Sequence, residues 1–239
     1  MPLYNNPLNE EKQMIRPDPE GWKPKYHWPI RNFYRSINHP DVEVLSCTEN
    51  EVFPLMQEFI QDFDPELIVE FGFSAGGMTL CMHEAAPTVP LWAFDCYSIF
   101  APMGKIARSM KLPVLNQIEL EKHQRNFVNV CFNRNVHFKK INLLGSPKQS
   151  IIRLLEADKG KQTFLYCDDG DKPKEVNTYA RYLNKGDAIG VHDWGEEIDL
   201  SREVVPGFDI KEILHDFEDH SINDKFTEQG LMVRIFVKR

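Results

Sequence analysis

The sequence predicts an α/β fold built on a mostly parallel sheet, and three observations lead there. Short apolar runs recur along the chain. A helix-capable stretch separates most runs from the next. The runs end in glycine, aspartate, asparagine or histidine. Strands alternating with helices form βαβ units, and such sheets bind ligands beyond the carboxyl ends of their strands.

The elements follow in order. Over residues 51–63, Val52, Leu55, Met56, Phe59 and Ile60 recur at helical spacing, and Pro65 stops that helix. Residues 67–71 (LIVEF) form a strand that ends at Gly72. Residues 89–94 end at Asp95, 136–141 at Asn142, 162–167 at Asp168 and Asp169, and 187–191 at His192 and Asp193. Helices are expected at about 76–86, 117–132, 148–157 and 174–184. Residues 208–217 read as a further strand or helix, and 230–237 as the last strand. There is no internal repeat and no low-complexity segment.

Composition excludes several classes. The chain has 239 residues, 42% hydrophobic and 27% charged, which suits a soluble globular domain with a real core. No apolar run reaches the ~20 residues of a membrane span. The N-terminus lacks the apolar core of a secretory signal, so a cytoplasmic location and no membrane partner are expected. The net charge of −8, with no Lys/Arg cluster, argues against nucleic acid. Cys47, Cys81, Cys96, Cys131 and Cys167 are scattered, without a C-x-x-C pair, which argues against disulfides and structural zinc. Cys81, Cys96 and Cys167 sit in apolar runs and read as buried thiols.

Two regions stand apart. Residues 1–50 are rich in Pro, Asn and charge but carry Trp22, Tyr26, Trp28, Phe33 and Tyr34. They read as an N-terminal extension that packs on the 51–239 domain and shapes a substrate site. The long connection over 98–117, rich in Met, Phe and Pro, reads as an apolar lid.

Glu70-x-Gly72-x-Ser74-x-Gly76 closes a strand and opens a helix. Glycine permits the tight turn and close approach to a ligand. The dinucleotide fingerprint G-x-G-x-x-G needs its second glycine where Ser74 stands, which weighs against NAD and FAD. Asp95 closes the next strand about 20 residues on, where an acid accepts from ribose hydroxyls. A glycine-rich turn of this kind also occurs without a ligand. Neither a G-x-S-x-G elbow nor a P-loop is present.

The E-x-G-x-x-x-G form resembles motif I of class I S-adenosylmethionine methyltransferases. That resemblance implies a Rossmann-like, doubly wound, seven-stranded sheet with an antiparallel C-terminal strand. It implies S-adenosylmethionine as cofactor, held by Glu70, Gly72, Ser74, Gly76 and Asp95. Tyr97 is read as packing on ribose or adenine. Asn142 is read as an adenine contact or a plain loop residue.

Asp169-Gly-Asp171-Lys172 resembles the D-A-D-K segment of caffeoyl-CoA O-methyltransferases. It implies Asp169 as a metal ligand, shared with the cofactor side, and Lys172 as general base. That family's second metal motif is Asp-Asn, where this chain has His192-Asp193. Magnesium or manganese is expected there, and histidine for aspartate suits Mn²⁺ or Fe²⁺ better than Mg²⁺. Asp168 takes the place of Asp169 if the strand ends one residue earlier. Asp171 is either a second-layer group or part of the turn, and Trp194 either walls a pocket or simply packs. Residues 67–197 resemble more closely still the cephalosporin hydroxylase-like group, which has a methyltransferase fold.

The leading expectation is an O-methyltransferase for a small-molecule hydroxyl, assisted by a divalent metal. The alternatives are a metal-independent methyltransferase, in which the acids only shape the turn, and a non-catalytic cofactor-binding module. Oligomeric state is left open, with a homo-oligomer allowed.

Overall fold

Val52, Leu55, Met56, Phe59, Ile60 and Phe63 lie along one side of a helix, and all six are buried in α1 (Val52–Phe63). The helix stops because Asp64 takes a left-handed conformation (φ 51°) and its N–H bonds to the Ile60 carbonyl. In this computed structural model, residues 51–73, 76–96, 118, 135–143, 146–157 and 160–239 are described. The readings for residues 1–50 and for the 98–117 lid fall outside that set. So does the helix expected over 117–132, apart from Ile118.

The elements alternate as the pattern requires. β1 (Leu67–Phe71) is followed by α2 (Gly77–Ala85) and β2 (Leu91–Asp95). β3 (Val136–Lys140), α3 (Gln149–Ala157), β4 (Thr163–Cys167) and α4 (Lys172–Tyr179) come next, with a 3₁₀ turn over Ala180–Tyr182. β5 (Ala188–His192) leads to a small hairpin of β6 (Glu203–Val205) and β7 (Phe208–Asp209). Then come α5 (Ile210–Ile213), β8 (Phe217–Asp219), α6 (Ile222–Glu228) and β9 (Val233–Lys238).

Seven strands form one sheet in the order β3-β2-β1-β4-β5-β9-β8. The pairs β3/β2, β2/β1, β1/β4 and β4/β5 are parallel, while β9 runs antiparallel to both β5 and β8. This is a Rossmann-like doubly wound fold. α1, α2 and α6 pack on one face with Ile68, Phe164 and Tyr166, and α3, α4 and α5 cover the other with Val69, Phe71 and Leu165. All residues of β1, β4 and β5 are buried, which is why they read as unbroken apolar runs rather than alternating ones.

Two elements have weak local signals. α6 has seven residues and carries Asn223, whose amide donates to the Ile235 carbonyl at 2.7 Å and accepts from its N–H at 2.8 Å. The stretch 208–217 divides into β7, α5 and the first residue of β8. Among the described residues, no helix is long and apolar enough to cross a membrane.

The chain order reverses between β1 and β4. Their ends meet there, Phe71 opposite Cys167, and a ligand crevice is expected at such a switch point.

Candidate active site

Past Cys167 the chain turns sharply into α4, and the turn is held by its own side chains. Asp171 caps the helix, its carboxylate accepting from the Lys174 N–H at 3.2 Å, and Pro173 occupies the first turn. Glu175 reaches back, accepting from the N–H of Asp171 at 3.2 Å and of Asp169 at 3.4 Å. Asp171 is therefore part of the turn. Burial, helped by the charge of Asp169, pushes the Glu175 carboxyl up to about 8. The spacing Asp171-x-x-x-Glu175, one residue longer than a capping box, is the sequence signal that points to Glu175.

At the end of β5, Asp193 adopts φ 56°, a left-handed conformation that aspartate tolerates better than most residues. Its carbonyl accepts from the N–H groups of Glu196 (3.2 Å) and Glu197 (3.0 Å), and Gly195 donates to Ile198 (2.7 Å). This tight return brings Glu197 back over the strand end. Trp194 packs on Phe236, with ring centres 5.1 Å apart, so its role is packing.

These two turns bring Asp168, Lys172, His192, Asp193 and Glu197 together. The Nδ1 of His192 lies 3.1 Å from Asp168 Oδ1 and 3.3 Å from Asp193 Oδ1. Lys172 Nζ lies 2.6 Å from Asp193 Oδ2, 2.9 Å from Glu197 Oε2 and 3.8 Å from Asp168 Oδ1. Asp168, His192 and Asp193 each offer a ligand atom within 4.8 Å of the others. Two carboxylates and an imidazole are a reasonable donor set for a divalent cation.

Of the two alternatives for the third member beside His192 and Asp193, the structure brings Asp168 to them rather than Asp169. β4 ends at Cys167, so Asp168 faces His192, while Asp169 points to a second group with Asp95 and Cys96. Burial, then the nearby Asp95, pushes the Asp169 carboxyl up to about 6. Cys96 is only half-buried, unlike the buried thiols Cys81 and Cys167.

Lys172 is bound into the same group. Burial works against its charge, but hydrogen bonds to Asp193 and Glu197 and the field of Asp168 outweigh that, and its pKa is raised. In this arrangement the ammonium group is paired with both carboxylates.

Glu70 lies on β1, wholly buried, and Thr79 of α2 donates a hydrogen bond to its Oε2. Its Oε1 has no hydrogen-bond partner among the described residues. Burial drives its pKa well above the usual carboxylate range, against the Thr79 bond and with the help of Asp168 and Asp95. An unmet oxygen at the root of the βα turn suits a hydrogen-bond donor from water or ligand.

Gly72 has φ 90°, and a Cβ there would stand 2.1 Å from the Asp168 carbonyl oxygen. The close approach that demands glycine is thus to the neighbouring strand end. Gly76 (φ 84°) caps α2. Asp95 is buried at the end of β2, and Asn142 is exposed beyond β3. Ser74 and Tyr97 lie outside the described residues.

No family model matches the sequence, and no curated protein matches it. Among solved structures, the chain is similar to a putative caffeoyl-CoA O-methyltransferase from Staphylococcus aureus, with 12% identity, TM-score 0.47 and 97% of each chain covered. It is similar to the SAH-bound methyltransferase PaMTH1 of Podospora anserina, with 14% identity, TM-score 0.44 and coverage of 100% of this chain and 98% of that one. A putative O-methyltransferase from Klebsiella pneumoniae gives 12% identity, TM-score 0.42 and coverage of 97% and 95%.

Proposed function

We propose that this chain is an S-adenosylmethionine-dependent O-methyltransferase acting on a small-molecule hydroxyl, with a divalent cation held by Asp168, His192 and Asp193. The observation that carries it is the meeting of those three residues and Lys172 beside the ends of β1, β2 and β4, where Gly72, Asp95 and Asp169 lie. Asp95 and Asp169 supply carboxylates for the ribose and amino groups of the cofactor. Glu70 and Thr79 brace the turn from beneath.

Methyl transfer forms an O–C bond, breaks the S–C bond of the sulfonium to leave the thioether S-adenosylhomocysteine, and releases the hydroxyl proton to solvent. A bound divalent cation would supply a lowered pKa at the substrate hydroxyl. Asp168, His192 and Asp193 orient the acceptor, and positioning of this kind accounts for much of the rate in a displacement. Lys172 holds the Asp193 and Glu197 side chains together through its ammonium group.

One observation favours a metal-independent methyltransferase as the second reading. Lys172 Nζ, 2.6 Å from Asp193, already supplies a cation to the acidic group. Calorimetric titration of the protein with S-adenosylhomocysteine, with and without Mn²⁺, separates the readings. Binding of both ligands is the expected result. Nucleoside binding without Mn²⁺ binding selects the metal-independent enzyme, and no nucleoside binding overturns methyl transfer altogether.

A further inference from the structure

Lys172 touches two carboxylates that sit on the same turn. Its Nζ lies 2.6 Å from Asp193 Oδ2 and 2.9 Å from Glu197 Oε2. Asp193 belongs to the candidate cation set with Asp168 and His192, whereas Glu197 does not. The Glu197 side chain is about half exposed (53%), and the Lys172 side chain is almost covered (8%). The turn that places Glu197 is held by backbone hydrogen bonds. Its N–H is tied to the Asp193 carbonyl at 3.0 Å, and the next bond, Gly195 N–H to the Ile198 carbonyl at 2.7 Å, closes the loop.

A divalent cation among Asp168, His192 and Asp193 would compete with the ammonium for Asp193 and repel it. A buried lysine stripped of its carboxylate is costly, so the site needs a second place to keep that charge. Glu197 is the carboxylate in position, because it follows Asp193 by four residues and already holds the same Nζ. From this geometry we infer that Glu197 is a positioning residue that retains the Lys172 ammonium when Asp193 is engaged by a divalent cation. One lysine is thereby shared between two carboxylates, and the chain accepts the cation without expelling the Lys172 side chain. This rests on the metal-assisted reading proposed above.

The test is Mn²⁺ affinity of the full-length protein, read from the electron paramagnetic resonance of free Mn²⁺, which needs no substrate. Glu197→Gln should weaken Mn²⁺ binding about tenfold, in the range seen for groups just outside a metal's ligands. Glu197→Asp should recover part of that loss. In Lys172→Met the ammonium is gone, so Mn²⁺ should bind at least as well as in the wild type, and adding Glu197→Gln should then change affinity by less than about twofold. Unchanged affinity in Glu197→Gln, in a protein whose wild type binds Mn²⁺, overturns the inference alone. An equal loss on the Lys172→Met background also overturns it, because Glu197 would then act directly on the ion. A wild type that binds no Mn²⁺ removes the metal reading, and this inference with it. Circular dichroism melts of each variant distinguish lost affinity from lost fold.

Discussion

His192 Nδ1 lies 3.1 Å from Asp168 Oδ1, and Asp169, the very next residue, turns instead toward Asp95. Two adjacent carboxylates thus serve two neighbouring groups. Asp168→Asn should lower Mn²⁺ affinity by about a hundredfold or more while leaving S-adenosylhomocysteine affinity within a few fold. Asp169→Asn should do the reverse, costing roughly tenfold in nucleoside affinity, as loss of a charged hydrogen bond does. Calorimetry on both variants checks this, and a metal defect confined to Asp169→Asn would sink the assignment.

Gly72 is where the cofactor turn and the acidic group become one structure. Gly72→Ala combines a positive φ with a Cβ 2.1 Å from the Asp168 carbonyl, so Asp168 must move. The expected cost is about 3 kcal/mol or more, roughly 6–12 °C in melting temperature. Gly195 has a similar φ of 93° but nothing within 4 Å of an added Cβ. Gly195→Ala should cost only about 1–2 kcal/mol. Thermal melts that rank the two equally would refute the contact argument.

Thr79 donates a hydrogen bond to Glu70 Oε2, and among the described residues Oε1 has no partner. Thr79→Val keeps the shape but takes the donor from Glu70 Oε2, at a cost of about 1–3 kcal/mol. Thr79→Ser retains the hydroxyl and should recover most of the loss. Denaturant titration of the pair checks it, and equal stability of the Val and Ser variants would count against the bond.

Glu175 couples the α4 turn to pH. Its carboxyl is raised from 4.5 to about 8 in the folded chain, mainly by burial. The unfolded chain therefore releases this proton first. The stabilising contribution is fully present below pH 4.5 and is lost as pH rises toward about 8. With EDTA present, the wild type should lose more melting temperature between pH 5 and pH 9 than Glu175→Gln, whose amide cannot ionise. Parallel curves for the two proteins over that window would rule out Glu175 as the titrating group.

The alternation of strands and helices was legible in the sequence because burial writes it there. β1, β4 and β5 are covered on both faces, so each appears as a short unbroken apolar run. α1 is half-covered and shows its apolar stripe at helical spacing. Strand ends follow from the same pattern, which is why Gly72, Asp95, His192 and Asp193 could be placed at the carboxyl edge. α6 and the β6/β7 hairpin are too short to carry a period, and contacts such as Asn223 with Ile235 decide them.

What only the tertiary structure decided is which neighbour each acidic residue meets. A shift of one residue at the end of β4 exchanges Asp168 for Asp169, because successive side chains face opposite ways. Glu197 joins Lys172 across 25 positions of sequence, through a left-handed Asp193 that no periodicity reveals. Glu70 reads from the sequence as a residue of the cofactor turn, and only the structure shows that its neighbours in β2 and β4 bury it. Local patterning encodes how each segment folds against the core. The direction of a side chain past a strand end depends on the register and on the turn that follows, and those are set by partners distant in the chain.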